Sequence, residues 1–62
     1  MKVDYTNIDG TLLYSSLSSN VPSYESIVNI QNIVYDIVDI EYIFSNAEYE
    51  KVIVYLEEAV VE

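Results

Sequence analysis

The apolar positions of the N-terminal third of the chain have helical spacing. They are spaced for one face of a short helix, at Ile8, Leu12, Leu13 and Leu17. Residues 6–9, Thr-Asn-Ile-Asp, resemble the capping box with which helices begin. Gly10 and the serines that follow oppose a helix, because glycine costs about 1 kcal/mol inside one and serine favours irregular structure. The spacing nevertheless predicts a short N-terminal helix.

A second helical period follows a turn at residues 20–23, Asn-Val-Pro-Ser, where proline cannot continue a helix. Polar residues then recur at steps of three and four, at Asn29, Asn32, Asp36 and Asp39. Isoleucines and valines fill the opposite side. Although these β-branched residues suit strands better, period normally outranks propensity, and the pattern predicts an amphipathic helix over residues 29–39.

The C-terminal part of the chain has the signature of a β-hairpin. Residues 40–44 predict one strand, residues 45–48 a turn, and residues 50–57 the returning strand. The returning strand is apolar on both faces, so either the N-terminal segment or another chain must cover the second face. Residues 59–62 are a candidate edge strand. The elements predict one small α+β domain over residues 1–62, with a short N-terminal helix, an edge strand, an amphipathic helix and an antiparallel hairpin.

The charge composition indicates which ligands and partners the chain is suited to bind. Eleven carboxylates face two lysines, with no arginine or histidine, for a formal net charge of −9. With 52% hydrophobic residues the chain is too apolar for a disordered acidic tail. So dense a negative field repels nucleic acid and anionic membranes, so we expect neither as a direct ligand. The expected partner is a basic DNA-binding protein. The lysine at position 2 is not followed by a long apolar run, so we expect a cytoplasmic protein without a signal peptide.

The residues needed for common catalytic chemistry are absent. Without histidine or cysteine the chain has no general-base imidazole, no thiol nucleophile and no thiolate metal site. A single glycine, Gly10, cannot build a phosphate-binding loop. Asp36 and Asp39 form a carboxylate pair on the predicted helix, but such pairs are usually solvated surface, and the ligand spacing of a calcium loop is missing. We therefore predict no enzyme, no metal site and no cofactor.

Tyrosine is the other unusual component, since the chain has seven of them. The tyrosine ring is suited to burial at an interface with its hydroxyl group hydrogen-bonded. Several tyrosines are expected to complete a small core. Tyr24 and Tyr35 flank acidic residues, and we predict that they contact a partner.

One ordered set of segments resembles a known family. Glu25-Ser26-Ile27 lies after an N-terminal segment with Thr6-Asn7-Ile8 and before an amphipathic stripe and an acidic hairpin. In order, length and charge the chain resembles the uracil-DNA glycosylase inhibitors of phages and mobile elements, over most of its residues. The resemblance implies a protein that imitates duplex DNA and occupies the DNA groove of its target.

The resemblance also implies residue roles. The segment Glu25-Ser26-Ile27 would enter the groove as an edge strand, with the Glu25 carboxylate and the Ser26 hydroxyl in place of phosphate oxygens. Further acids would extend the phosphate-like track, at Asp36, Glu41, Glu48 and Glu50. An apolar pocket between helix and sheet would take up the side chain that the enzyme inserts into DNA. Its lining would come from Val34, Ile37, Val38, Ile43, Val52 and Val54.

Three alternatives stay open at this point. Ser23 could be the N-cap of one longer helix with Glu25 in its first turn, which would replace the edge strand. The acidic surface would also suit a mimic directed at a restriction enzyme or a CRISPR nuclease. Finally, the two-sided apolar strand around Ile53 and Tyr55 could form a homodimer, in which the charge serves only solubility.

Overall fold

The computed structural model describes residues 2–17, 20–45 and 48–59, with the side chains of Ser45 and of residues 48–50 excepted. The described part contains five β-strands and no helix. The strands are β1 (Lys2–Asn7), β2 (Leu12–Leu17), β3 (Ile27–Ile30), β4 (Ile33–Ser45) and β5 (Glu48–Glu58). The predicted α+β class is therefore wrong, and the chain folds as one mixed sheet that curls into a half-barrel.

The sheet has the strand order β2-β1-β5-β4-β3. β1 and β5 are parallel, and the other neighbours are antiparallel. β5 lies at the centre, and the alternate residues Val52, Val54 and Leu56 in its middle are fully buried. We call this the inner face of the sheet and the opposite side the outer face. Val3, Tyr35 and Ile37 complete the buried core on the inner face.

The predicted N-terminal helix is wrong, because its residues form the β1–β2 hairpin. The turn contains Gly10 at φ +95°, a conformation that L side chains rarely adopt. Asp9 also stabilises the turn, because its Oδ1 accepts a hydrogen bond from the Thr11 N–H at 2.9 Å. This backbone hydrogen bond lowers the pKa of the Asp9 carboxyl. The supposed capping box is thus an Asx turn between strands.

The predicted helix over residues 29–39 is also wrong. Its residues form the end of β3, a two-residue turn at Gln31 and Asn32, and the first half of β4. The longer helix from Ser23 is excluded as well, because the chain turns at Tyr24 and Glu25 and then enters β3. The Ser26 N–H donates to the Ser23 carbonyl at 3.0 Å within that turn.

A β-bulge in β4 decides which of its residues reach the core. Ile37 lies opposite Leu56 and Asp39 opposite Tyr55, so Val38 and Asp39 together oppose one residue of β5. Before the bulge the odd-numbered residues Tyr35 and Ile37 face inward. After it Ile40, opposite Val54, faces inward. The bulge therefore leaves Asp39 on the outer face.

The predicted C-terminal hairpin is confirmed. β4 and β5 are antiparallel neighbours, paired from Tyr35 and Glu58 to Ser45 and Glu48. β4 is much longer than the predicted strand at 40–44, because it also takes the residues assigned to the second helix. The middle of the predicted turn, residues 46–47, lies outside the described residues, as do residues 60–62 of the candidate edge strand.

The turn between β3 and β4 carries a testable local strain. Gln31 and Asn32 have φ of +52° and +68°, as in a two-residue hairpin turn of the type that favours Asn-Gly. Glutamine is poorly suited to the left-handed region, whereas asparagine tolerates it. We expect Gln31→Asn to raise the free energy of unfolding by about 0.5 kcal/mol and Gln31→Val to lower it by about 1 kcal/mol. Urea denaturation of both variants measures these shifts, and equal stabilities would contradict the turn geometry.

Candidate protein-interaction site

The two lysines of the chain meet at one buried carboxylate. Asp4, in β1, is 8% exposed and points to the outer face. Its Oδ1 accepts a hydrogen bond from the Ser15 hydroxyl at 2.6 Å and lies 3.9 Å from the Lys2 Nζ. Its Oδ2 lies 4.0 Å from the Lys51 Nζ. Since the sequence has no other lysine and no arginine or histidine, all of its side-chain positive charge gathers around Asp4.

Among the side chains that the structure describes, four exposed carboxylates lie on the outer face of β4 and β5, and we call them the acidic face. They are Asp36, Asp39, Glu41 and Glu57. Asp36 and Glu57 are direct cross-strand partners. Cβ atoms in such pairs lie about 4.5–5.5 Å apart, and like charges in this position destabilise a sheet. The like-charged pair of Asp36 and Glu57 therefore lowers the stability of the fold.

Two hydrogen bonds orient the acids beyond the bulge. The Tyr55 hydroxyl donates to the Glu41 Oε1 at 2.8 Å across the strands. This bond raises the pKa of the Tyr55 hydroxyl, with desolvation and the nearby negative charges of Glu41 and Asp39 adding to the effect. Asp39 Oδ1 accepts from the Ile40 N–H at 2.9 Å. The carboxylates of Glu41 and Asp39 therefore each accept a hydrogen bond from within the sheet.

The predicted edge segment is partly an edge strand. Ile27 begins β3, which is the last strand in the sheet order, and lies opposite Asp36. Glu25 is exposed in the turn before β3. The Ser26 hydroxyl is hydrogen-bonded to the Ser23 hydroxyl at 2.8 Å. The structure thus brings Glu25, Ile27 and Asp36 to one border of the sheet, while the side chains of Glu48 and Glu50 lie outside the described residues.

The predicted apolar pocket is wrong, because the helix that would form one wall is a strand. Ile37, Val52 and Val54 are buried in the core of the inner face. Val34 and Ile43 have outward register, opposite Asn29 and Lys51, and Val38 lies in the bulge. These six side chains are therefore divided between two faces of one sheet and do not enclose a common space.

The two tyrosines predicted to contact a partner differ in position. Tyr35 is 6% exposed and belongs to the core, so it is not available to a partner. Tyr24 is 58% exposed, and its hydroxyl donates to the Val38 carbonyl at 2.6 Å, which ties the loop before β3 to the bulge. Tyr5 and Tyr14 form a ring contact on β1 and β2, with centroids 6.0 Å apart. Burial, with the nearby Tyr14 second, raises the pKa of the Tyr5 hydroxyl.

A cavity of about 250 Å³ lies between the two edge strands of the half-barrel. Its lining consists of Leu13, Tyr14, Asn29, Ile30 and Gln31. This cavity could not be predicted, since nothing in the sequence indicates that β2 and β3, ten residues apart, approach each other. The only local signal is that neither strand carries a charged residue.

The outer side of β5 does not offer a continuous apolar surface. Ile53 and Tyr55 are half-buried there, and Ile53 has Asp4 as its neighbour on β1 and Glu41 as its neighbour on β4. The inner side is covered by the chain itself. The apolar strand that the homodimer alternative would use is thus flanked by carboxylates on its outer side.

Comparison of the chain with family models, curated proteins and solved structures found no match. The resemblance to uracil-DNA glycosylase inhibitors therefore rests on the order, length and charge of the sequence segments alone. Within residues 2–17, 20–45 and 48–59, no helix is long and apolar enough to span a membrane. The same residues contain no group of three or more acidic side chains placed to hold a metal ion.

Proposed function

We propose that the chain is a non-enzymatic DNA mimic that binds the basic DNA-binding groove of a protein. The observation that carries this proposal is the cross-strand pair of Asp36 and Glu57 within the acidic face. Like charges opposed on a sheet are unfavourable in the free protein. A groove lined with lysine and arginine would neutralise them, so binding would relieve the repulsion.

The distribution of positive charge supports the same proposal. Lys51 lies six residues from Glu57 along β5, which corresponds to about 20 Å. Both lysines are engaged with Asp4, so the chain brings no cation of its own to the Asp36–Glu57 pair. At moderate salt, where the Debye length is about 10 Å, that end of the acidic face presents its charge unneutralised to a partner.

The strand pairing fixes the positions of the acids relative to one another before any partner binds. Asp39 and Glu41 are two residues apart on β4, which places them about 6.6 Å apart along one face. Glu57 on β5 adds a carboxylate beside Asp36, so negative charges recur along and across the strands at short spacing, as in a polyanion backbone. A preformed array loses little conformational entropy on binding, and its charge speeds the encounter.

Uracil-DNA glycosylase is the first target to test, because the resemblance in the sequence points to it. The proposed contact uses the acidic face, Glu25 and the β3 border, and it does not use an apolar pocket. The chain would act in the cytoplasm of a bacterial host. Restriction and CRISPR nucleases remain targets of the same chemical class, since each presents a basic groove to DNA.

The decisive experiment for this target measures inhibition of uracil excision. Purified uracil-DNA glycosylase is assayed for uracil excision with the chain in excess, over a series of salt concentrations. We expect inhibition that weakens as salt rises. Unimpeded excision removes this enzyme as the target.

The broader proposal is tested by capture from bacterial lysate with the immobilised chain. We expect DNA-binding proteins that duplex DNA displaces from the chain, since mimic and DNA use one groove. Capture that duplex DNA leaves unchanged would show that the chain does not occupy a DNA site, and the proposal would be abandoned.

A further inference from the structure

β3 is a sheet edge that no other described strand covers. It is the last strand of the sheet, and its sequence Ile-Val-Asn-Ile contains no charged residue and no proline. Ile27 is 68% exposed on it. Natural sheets usually protect such edges with charge, proline or a covering segment, because unpaired backbone groups are a template for another strand. The edge is thus suited to pairing with a second chain.

The backbone of β3 presents specific groups to this edge. The Ala59 N–H donates to the Val34 carbonyl at 2.9 Å, so the backbone of Val34 points toward β5. Its partner Asn29 is therefore in a pair without mutual hydrogen bonds, and the Asn29 N–H and carbonyl point away from β4. Ile27, two residues earlier, has the same orientation. Ile27 and Asn29 consequently offer donors and acceptors to an added strand.

The charges beside this edge select the kind of strand. Ile27, Asp36 and Glu57 form a row across three neighbouring strands on the outer face. Glu25 precedes β3 in the chain and is exposed. A lysine or arginine next to Ile27 could lay its apolar stem on that side chain and place its cationic head toward Asp36, about two strand spacings away. The Asp36 carboxylate would therefore provide the opposite charge for this lysine or arginine on the outer face.

The inner side of the same edge is suited to an apolar residue of the added strand. The cavity of about 250 Å³ borders this edge, and its lining includes Ile30 of β3, which packs against the core, and Tyr14 of β2, which lies opposite the core-facing Tyr5. Because side chains of a strand alternate between faces, an added strand with basic residues outward directs its other residues toward this cavity. Alternating basic and apolar residues fit both sides.

We propose that β3 pairs with an extended segment of the basic partner, in which lysine or arginine alternates with apolar residues. This inference rests on the proposed function, since it assigns the partner's element at the border of the acidic face. A second copy of the chain is the less favourable occupant. It carries a charge of −9 itself, and pairing of two β3 edges would bring two rows of acids together.

The test uses a synthetic peptide that alternates arginine with valine. Binding to the full chain is measured by calorimetry, and amide hydrogen exchange is followed by NMR. We expect slower exchange at Ile27 and Asn29 when the peptide is bound. We expect at least about tenfold weaker binding for the same peptide N-methylated on alternate backbone nitrogens, since methylation removes the ladder hydrogen bonds and keeps the charge.

Variants of the chain provide the matched control. Ile27→Pro removes the outward N–H at the first residue of an edge strand, where proline is tolerated, and we expect at least about tenfold weaker peptide binding. Ile27→Ala keeps the N–H and should bind more tightly than Ile27→Pro. If Ile27→Pro fails to fold, the N-methylated peptide on the unaltered chain gives the answer.

Three results would overturn strand addition. They are equal binding of the methylated peptide, unchanged exchange at Ile27 and Asn29, and protection of these amides by dimerisation of the chain alone. Failure of the proposed function has a different signature. If a captured target is lost on changes in the acidic face but retained by Ile27→Pro, the mimic stands and strand addition is wrong. If the peptide pairs with β3 but no DNA-competed target exists, the edge stands without the mimic.

Discussion

Leu56→Ala is expected to destabilise the fold by about 3 kcal/mol, because the substitution removes a fully buried side chain from the central strand. A domain of this size has about 3–9 kcal/mol of total stability. The variant is therefore expected to keep about 0–6 kcal/mol and to unfold at a clearly lower urea concentration than the original protein. Circular dichroism and urea denaturation of both proteins measure the loss.

Leu12→Ala is the control for this prediction. It makes the same type of change in β2 at a side chain that is 57% exposed. Its cost is expected to stay below about 1 kcal/mol, since little apolar surface is lost from the interior. Similar losses for the two variants would contradict the placement of Leu56 at the centre of the core.

Glu57→Lys is expected to change stability and partner binding in opposite directions. On the sheet it turns the repulsive pair with Asp36 into an attractive one, which should add about 0.5–1 kcal/mol to the free energy of unfolding. In the complex it places a cation against a basic groove, and we expect at least about tenfold weaker binding. Urea denaturation and inhibition or capture of the target measure the two effects.

Glu57→Gln is the matched neutral variant, and both effects should be intermediate. Added salt should reduce the stability difference between the variants, because exposed charges are screened. A Glu57→Lys protein that binds its target as well as the original would remove Glu57 from the contact. Lower stability of that variant would show that the cross-strand pair does not repel.

Helical spacing misled the prediction for residues 29–39 for an identifiable reason. Asn29 and Asp36 are outward positions of two strands, whereas Asn32 lies in the turn and Asp39 follows the bulge. A turn and a bulge each shift the phase of a period-two pattern. The resulting steps of three and four residues imitate a helix. The β-branched composition of this segment was the correct signal, and the period was not.

The hairpin of β4 and β5 was predictable because both strands carry β-branched and aromatic residues around a polar turn. The hairpin of β1 and β2 could not be predicted from the sequence. The bulge between Tyr5 and Thr6 places Leu12 opposite Thr6 and interrupts the alternation of inward and outward residues in β2. For the site, the sequence indicated the acids Asp36 and Glu41 and the border at Ile27. It also suggested Ile37 for the lining of a pocket and Tyr35 for contact with a partner, whereas both side chains are buried in the core.

The sequence alone determined the net charge, the lack of histidine and cysteine, and the β-branched apolar content of the strands, because these are properties of composition and short-range order. Tertiary structure decided where that charge lies. Pairing between β4 and β5 sets Asp36 opposite Glu57, and parallel pairing of β1 with β5 gathers Lys2 and Lys51 around Asp4. Strand register is a cooperative outcome of the whole sheet, since a shift of one residue sends every side chain to the other face. The position of the free β3 edge follows from that register.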